Sequence, residues 1–285
     1  MARCPDPVSG AIIQELVYCS RVPENLLTMK AVILLSDVFA YDSHLHTIYS
    51  GHSHPDMTVD AIIGQMQEVG LKQIAITEHV FVRSDLGRVG IVASQIPHDA
   101  ENVLLGAEMD ADAIALDGTL VAPTDGIDWV VASFHKFPGT SIWWNQDYRE
   151  AKDEKTIYRE WLDWAHEVIA VSKPDAIGHP GTLICHLSTV EEFDKPILRD
   201  FAGILESCRE HGVAFELNEL THKKMRPLQK ETYYRVFKLA KEKGVKIVLG
   251  SDSHSLPQIG RYLWIREVID QAGLERSDFI IPTKR

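Results

Sequence analysis

A chain of 285 residues with 45% hydrophobic content can bury one large core or two small ones. Its formal net charge of −12 and isoelectric point near 5.5 argue against a broadly basic nucleic-acid surface. Cys4, Cys19, Cys185 and Cys208 stand at wide, irregular spacings with no C-x-x-C, which excludes an evident disulfide framework or cysteine zinc site and fits a reducing cytoplasm.

The apolar run AVILLSDVFAY at 31–41 is interrupted by Asp37 and is too short to cross a bilayer, so neither a membrane segment nor export is expected. Residues 1–37 read as an N-terminal extension, with a helix at 11–18, a turn around Pro23 and an apolar run at 29–35. From 38 to 285, short β-rich runs alternate with longer amphipathic stretches, the pattern of one β/α domain with a mainly parallel sheet. The run 38–47 reads as the first strand. A helix follows at 58–70, with Val59, Ile62, Ile63 and Met66 on one face and Gly70 as its stop. The second strand is 71–79, and the aperiodic segment 82–100 reads as a long loop over one end of the sheet. Further strands are expected at 102–110, 127–135, 175–181, 213–219 and 245–254, and a small hairpin at 113–123 around Asp117-Gly118. Helices are expected at 155–171, 190–211, 230–243 and 257–273, two of them closing on a glycine just before a strand. Seven such units imply an α/β fold, either an open sheet or a TIM-like barrel.

The polar residues able to bind metal fall almost all at the C-terminal ends of these strands, where function sits in β/α folds. His44 and His46 lie at i and i+2 and so share one side of a strand. His52 follows in the next loop, with His54 beside it as an alternative. The second strand ends in TEH with His79, the third in GAE with Glu108, the fourth in ASFHK with His135 and the fifth in GHPG with His179. The seventh ends in SDSH, where Asp252 and His254 repeat the i, i+2 spacing. One catalytic ion takes about three protein ligands, so nine candidates imply two or three divalent ions, with imidazole and carboxylate donors admitting Zn, Mn or Fe. A lone HxH or GHPG is weak evidence, since either can be an ordinary polar strand end or turn. The conjunction carries the reading, because so many buried histidines are costly to pack without a role. His98, His166, His186, His211 and His222 have no partner at metal spacing and read as surface residues.

With HLHT at 44–47, TEH at 77–79, FH at 134–135 and SDSH at 251–254, and with Glu108 and His179 between them, the chain resembles the polymerase and histidinol phosphatase (PHP) superfamily of metal-dependent phosphoesterases over about residues 40–275. The resemblance implies a distorted (β/α)7 barrel and a site, usually trinuclear, held by His44, His46, His52, His79, Glu108, His135, His179, Asp252 and His254. The spacing HLHTIYSGH is similar to that of a subgroup of stand-alone bacterial phosphatases and favours His52 over His54. Glu108 and Asp252 are then the natural bridging carboxylates.

The chemistry so implied is in-line hydrolysis of a phosphate ester in the cytoplasm, with water activated by the ions and the leaving group protonated from Asp252, His254 or water. Arg83, Arg88, Lys136 and Asn218 are the candidates for substrate contact, although each of the two arginines reads equally well as a solvated loop charge. A phosphomonoesterase acting on a small metabolite comes first, with histidinol phosphate among its substrates but not favoured. A phosphodiesterase or nuclease is second, disfavoured by the lack of a basic stripe. A non-catalytic metal-binding scaffold would be expected to have lost ligands, and an amidohydrolase would want a lysine at a strand end. The tryptophan pair Trp143 and Trp144 is read as shaping the pocket mouth, forming a homo-oligomer interface, or packing.

Overall fold

Seven β-rich segments pair side by side in strict chain order, each parallel to the last. They are β1 (Tyr41–Leu45), β2 (Gln73–Val80), β3 (Val103–Asp110), β4 (Trp129–Ser133), β5 (Ala176–Ile177), β6 (Ala214–Asn218) and β7 (Ile247–Gly250). This is a computed structural model, and it describes residues 35–111, 126–150 and 152–285. Past the end of β7 the chain turns back onto β1: the Asp252 amide donates to the His44 carbonyl at 2.7 Å and the His46 amide to the Ser253 carbonyl at 3.0 Å. First and last strands thereby meet, and of the two architectures expected the sheet adopts the nearly closed, distorted (β/α)7 TIM-like barrel.

The period of two along a strand decides what lines the barrel interior. Ala75, Leu104, Trp129, Val131, Ala176, Ala214 and Val248, from six of the strands, pack as one apolar cluster. Continuing in steps of two from those positions toward the strand ends gives Thr77 and His79, Glu108 and Asp110, Ser133 and His135, and Glu216 and Asn218, all buried. The same parity thus makes an apolar floor and a polar upper layer. Outside the sheet the larger apolar cores join strands to helices, with Ile157, Trp161, Phe201, Phe215 and Phe237 among the residues packed there. Cys185 and Cys208 belong to this outer core as free thiols, and burial pushes both up to about 12, so they pack rather than react.

Helix limits follow their caps. Thr58 opens Val59–Val69 by accepting from the Ala61 amide, and Gly70 closes it in the left-handed region at φ 77°. Several expectations are corrected. The segment 82–100 is not a loop throughout: Leu86–Gln95 is a helix burying Val89 and Val92, and Gly87 and Gly90 hid its periodicity. The helix expected from 190 begins only at Lys195, where Asp194 caps it and Pro196 fits its first turn. Residues 230–243 are two helices, Pro227–Thr232 and Tyr234–Lys243. The span 257–273 reduces to Trp264–Ala272, because Gly260 at φ 68° breaks the preceding turn. The helix expected at 155–171 is α-helical over Glu154–Glu167 and then widens to a π-turn. The strands are shorter than expected, most of all β5. The helix expected at 11–18, the turn at Pro23, most of the apolar run 29–35 and the hairpin at 113–123 lie outside the described residues. Among the described residues no helix is long and apolar enough to cross a membrane.

Gly106 in β3 has no room for a side chain: a Cβ there would stand 2.6 Å from Thr77 Cγ2 and 3.1 Å from the Ile76 and Trp129 carbonyl oxygens. Gly106→Ala is expected to destabilise the barrel by about 1–3 kcal/mol in urea denaturation, the usual range for overpacking a filled interior.

Candidate metal centre

Register sets the centre. His79 and Glu108 are Cα partners across β2 and β3. Glu108 is 1% exposed, and both of its oxygens face imidazoles. Oε2 stands 2.7 Å from His79 Nδ1, 3.4 Å from His44 Nε2 and 3.5 Å from His46 Nε2. Oε1 lies 2.9 Å from His179 Nε2 and 3.3 Å from His135 Nε2. Asp252 Oδ1 is 3.2 Å from His46 Nε2 and 3.8 Å from His44 Nε2. The His254 ring stacks near His46 and His52, with centroids 4.4 and 4.5 Å away, and His52 lies 5.1 Å from His79. The structure therefore gathers His44, His46, His52, His79, Glu108, His135, His179, Asp252 and His254 at one end of the barrel. His54 stays outside, exposed and paired with Asp56 at 2.7 Å.

These residues fit divalent cations. Three overlapping triads bring their donor atoms within 4.8 Å of one another: His44, His46 and Glu108; His79, Glu108 and His135; and His46, His79 and His254. Both ring nitrogens of His79, Nδ1 of His46, Nε2 of His254 and Oε2 of Glu108 are buried without a hydrogen-bond partner. Buried polar atoms are rarely left so, and imidazole nitrogens facing carboxylate oxygens out of hydrogen-bonding direction make the N/O donor set that zinc-like ions take.

The charge states match. Burial opposes ionisation of Glu108 and of Asp252, but the surrounding imidazoles outweigh it and hold both carboxyls well below their ordinary range. Burial, reinforced by neighbouring imidazoles, keeps His46 well below its usual value and His52 at about 4, so both are neutral near pH 7. Burial would also lower His44 and His135, but carboxylates prevail: His44 is held well above normal and His135 at about 10. A cation entering here displaces those protons.

A second layer holds the ligands. Glu216, fully buried, takes His44 Nδ1 on Oε1 at 2.7 Å; its Oε2 accepts from the His179 amide at 2.6 Å and from Asn218 Nδ2 at 3.2 Å. Asp110 Oδ2 faces His135 Nδ1 at 3.3 Å. A Cβ on Gly250 would lie 1.9 Å from Glu216 Oε1, so only glycine leaves that carboxylate room. His179 and Asp252 sit at φ 25° and 54°, strained for non-glycine residues and clustered at the site. Neither Glu216 nor Asp110 was among the sequence candidates; their i+2 spacing from Asn218 and from Glu108 was the available signal.

Above the ligands opens a cleft of about 650 Å³, lined by His52, His79, His135, His179, Asp252 and His254 together with Phe81, Trp143, Trp144, Thr182, Asn218 and Lys224. Asn218 thus reaches both the cleft and Glu216. Lys136 Nζ lies near the Phe81 and Trp143 rings. Arg88 pairs with Asp85 at 3.5 Å and does not line the cleft; Arg83 is in the turn Arg83–Asp85, its side chain outside the described residues. His186 is not a plain surface histidine: it is half-buried and stacked on Trp144, and burial lowers it to about 4. Lys224 and Thr182 had no sequence signal, since their place depends on loops folding over the barrel.

The family model of the PHP domain matches residues 42–220. Proteins named "probable phosphatase" from Vibrio parahaemolyticus and from a Thermoanaerobacter species are 26% and 28% identical, each over 85% of this chain and over 88% and 89% of their own lengths. Among solved structures, the chain is similar to histidinol phosphate phosphatase from Lactococcus lactis, complexed with zinc, L-histidinol and phosphate, with a TM-score of 0.58 at 19% identity, covering 86% of this chain and 96% of that one.

Two outcomes follow from the centre. Stripping the protein with chelator and adding back Zn²⁺ or Mn²⁺ should raise its melting temperature, since an ion at 100 times its Kd stabilises the folded state by about 2.7 kcal/mol. Glu216→Gln places an amide donor against groups that already donate, so metal affinity should fall about 10- to 100-fold in chelator competition while the apo fold persists.

Proposed function

Because this chain belongs to the PHP domain family, we propose that it is a metal-dependent phosphoric ester hydrolase, a phosphomonoesterase acting on a small phosphorylated metabolite. The observation that carries this reading is the convergence of nine imidazole and carboxylate side chains at one end of the barrel, six of them lining a single cleft, with Glu108 common to two triads. The family relatives named as phosphatases support the same class of reaction.

His44, His46, His52, His79, Glu108, His135, His179, Asp252 and His254 would hold two or three divalent ions, zinc, manganese or iron, with Glu108 and Asp252 as bridges. When bound, such ions polarise the phosphoryl oxygens and make water nucleophilic at neutral pH. The chain's own residues do the rest. Glu216 and Asp110 fix the rings of His44 and His135, so the donors do not reorganise during reaction. Asp252, held as a carboxylate, serves as a ligand and not as an acid; the departing alkoxide takes its proton from water at the cleft wall beside His254, whose ring is oriented through Nδ1 by the Asp252 carbonyl at 2.8 Å. Asn218 faces the cleft from β6 and orients the ester, with Lys136 adding positive charge beside the mouth aromatics. Phe81, Trp143 and Trp144 narrow the opening and keep bulk water from the reacting ester.

Release of p-nitrophenol from the monoester and the bis-ester, with Mn²⁺, Zn²⁺ or Fe²⁺ supplied and chelator as control, tests the class. Chelator-sensitive turnover of the monoester is expected, reduced by about 10²-fold or more in Asp252→Asn and His79→Ala, in the range seen when an electrostatic or acid–base group is removed. Turnover of the diester alone would transfer the protein to the phosphodiesterases. Full activity in both variants would refute the site.

A further inference from the structure

The cleft lining beyond the metal ligands carries groups that phosphate hydrolysis by itself does not use. Phe81 and Trp143 meet edge to face with centroids 4.8 Å apart. The Lys224 ammonium lies 3.5 Å from the Trp144 ring centroid, and His186 stacks on the same indole at 4.8 Å. Lys136 Nζ stands 5.8 Å from the Phe81 centroid and 5.3 Å from that of Trp143. Aromatic rings at a pocket mouth would ordinarily offer a cationic ligand a favourable seat. Here the chain's own ammonium groups already take those positions.

The balance of charge points the same way. Although the chain has 41 acidic residues, Asp252 is the only carboxylate among the described residues that line this cleft, and it belongs to the metal centre. Glu219, nearby in the chain, accepts from the amides of Leu263, Trp264 and Ile265 at 3.1, 3.0 and 3.0 Å. Thr182, 5% exposed and lining the cleft, has its Oγ1 without a hydrogen-bond partner, so it can donate to an incoming acceptor. Among the described lining residues, an ammonium on the alcohol half of a substrate would meet Lys224 and no carboxylate outside the metal centre, whereas a carboxylate there would meet that cation and a hydroxyl donor.

We infer that Trp143, Trp144, Thr182 and Lys224 form the leaving-group subsite, and that it selects phosphate esters of alcohols bearing a carboxylate over esters of amino alcohols. The inference rests on the phosphatase reading. Lys224 is the specificity-determining residue: its charge attracts the anionic leaving group and repels the cationic one, while Trp144 holds the ammonium in place.

The test is the ratio of kcat/KM for 3-phosphoglycerate to that for histidinol phosphate and for phosphoethanolamine, measured with metal-loaded protein. A ratio of two esters on the same variant cancels any general loss at the metal centre. The wild-type ratio should exceed about 10, and Lys224→Gln should bring it toward unity, the change expected when one charge pair of modest strength is lost. Lys224→Glu should invert it. Intrinsic tryptophan fluorescence titrated with glycerate gives a second readout, with a response expected in the wild type and weakened in Lys224→Gln. A wild-type preference for the amino-alcohol esters, or a ratio unchanged in both variants, would overturn the subsite. Absence of turnover for every ester, p-nitrophenyl phosphate included, with each of the three metals would overturn the phosphatase reading and the subsite with it.

Discussion

A single carboxylate buried inside the barrel sets the terms for everything around it. Glu108 is almost wholly removed from water, and an ion-sized charge moved into such surroundings loses several kcal/mol of solvation unless it is paired. Five imidazoles from four strand ends approach its two oxygens within 3.5 Å. Burial opposes charging His44, His46 and His135; the carboxylates overcome it at His44 and His135, whereas His46 stays neutral, so protons alone satisfy the cluster only in part. Divalent ions satisfy both at once, giving the carboxylate positive charge and the neutral nitrogens a Lewis acid. The orphaned nitrogens of His46, His79 and His254 express this demand in the geometry.

The barrel meets that demand through a simple periodicity. Interior residues recur every second position, and in β2, β3, β4 and β6 they run from an apolar floor to a polar upper layer without a change of parity. The rule breaks at β5, which is only two residues long. His179 falls on the opposite parity to Ala176, and the chain brings its ring to Glu108 by adopting a left-handed φ, held by the bond from its amide to Glu216. Glu216 carries strain relief, ligand orientation and contact with Asn218 in one side chain, which explains why Gly250 across the sheet must lack a Cβ. The local strain at His179 and Asp252 is tolerable because several independent bonds determine each position.

Charge is arranged unevenly between the site and the whole. The chain is acidic overall, yet Asp252 is the one carboxylate and Lys224 the one lysine among the described residues that line the cleft, so divalent ions held at its base would give an anionic ester a local positive potential despite the net charge. Focusing of this kind depends on low-dielectric walls, and Phe81, Trp143 and Trp144 supply them. The same aromatic residues hold the ammonium groups of Lys136 and Lys224 over the rings of Trp143 and Trp144.

The amino-acid sequence by itself determined the number and order of the β/α units and the ligand candidates, because strand parity and strand-end motifs such as HLHT and SDSH are local features with a short period. It was less informative where a short element is held by tertiary contacts: the helix Leu86–Gln95 was masked by its glycines, β5 shrank to a corner, and the helix expected over 230–243 split in two. Only the folded barrel separated His52 from His54, gave Glu216 and Asp110 their tasks and carried Lys224 and Thr182 to the cleft. Those assignments depend on distances between residues far apart in the chain. They are set when closure of β1 onto the end of β7 brings separate strand ends and loops to one place, and no local pattern encodes that distance.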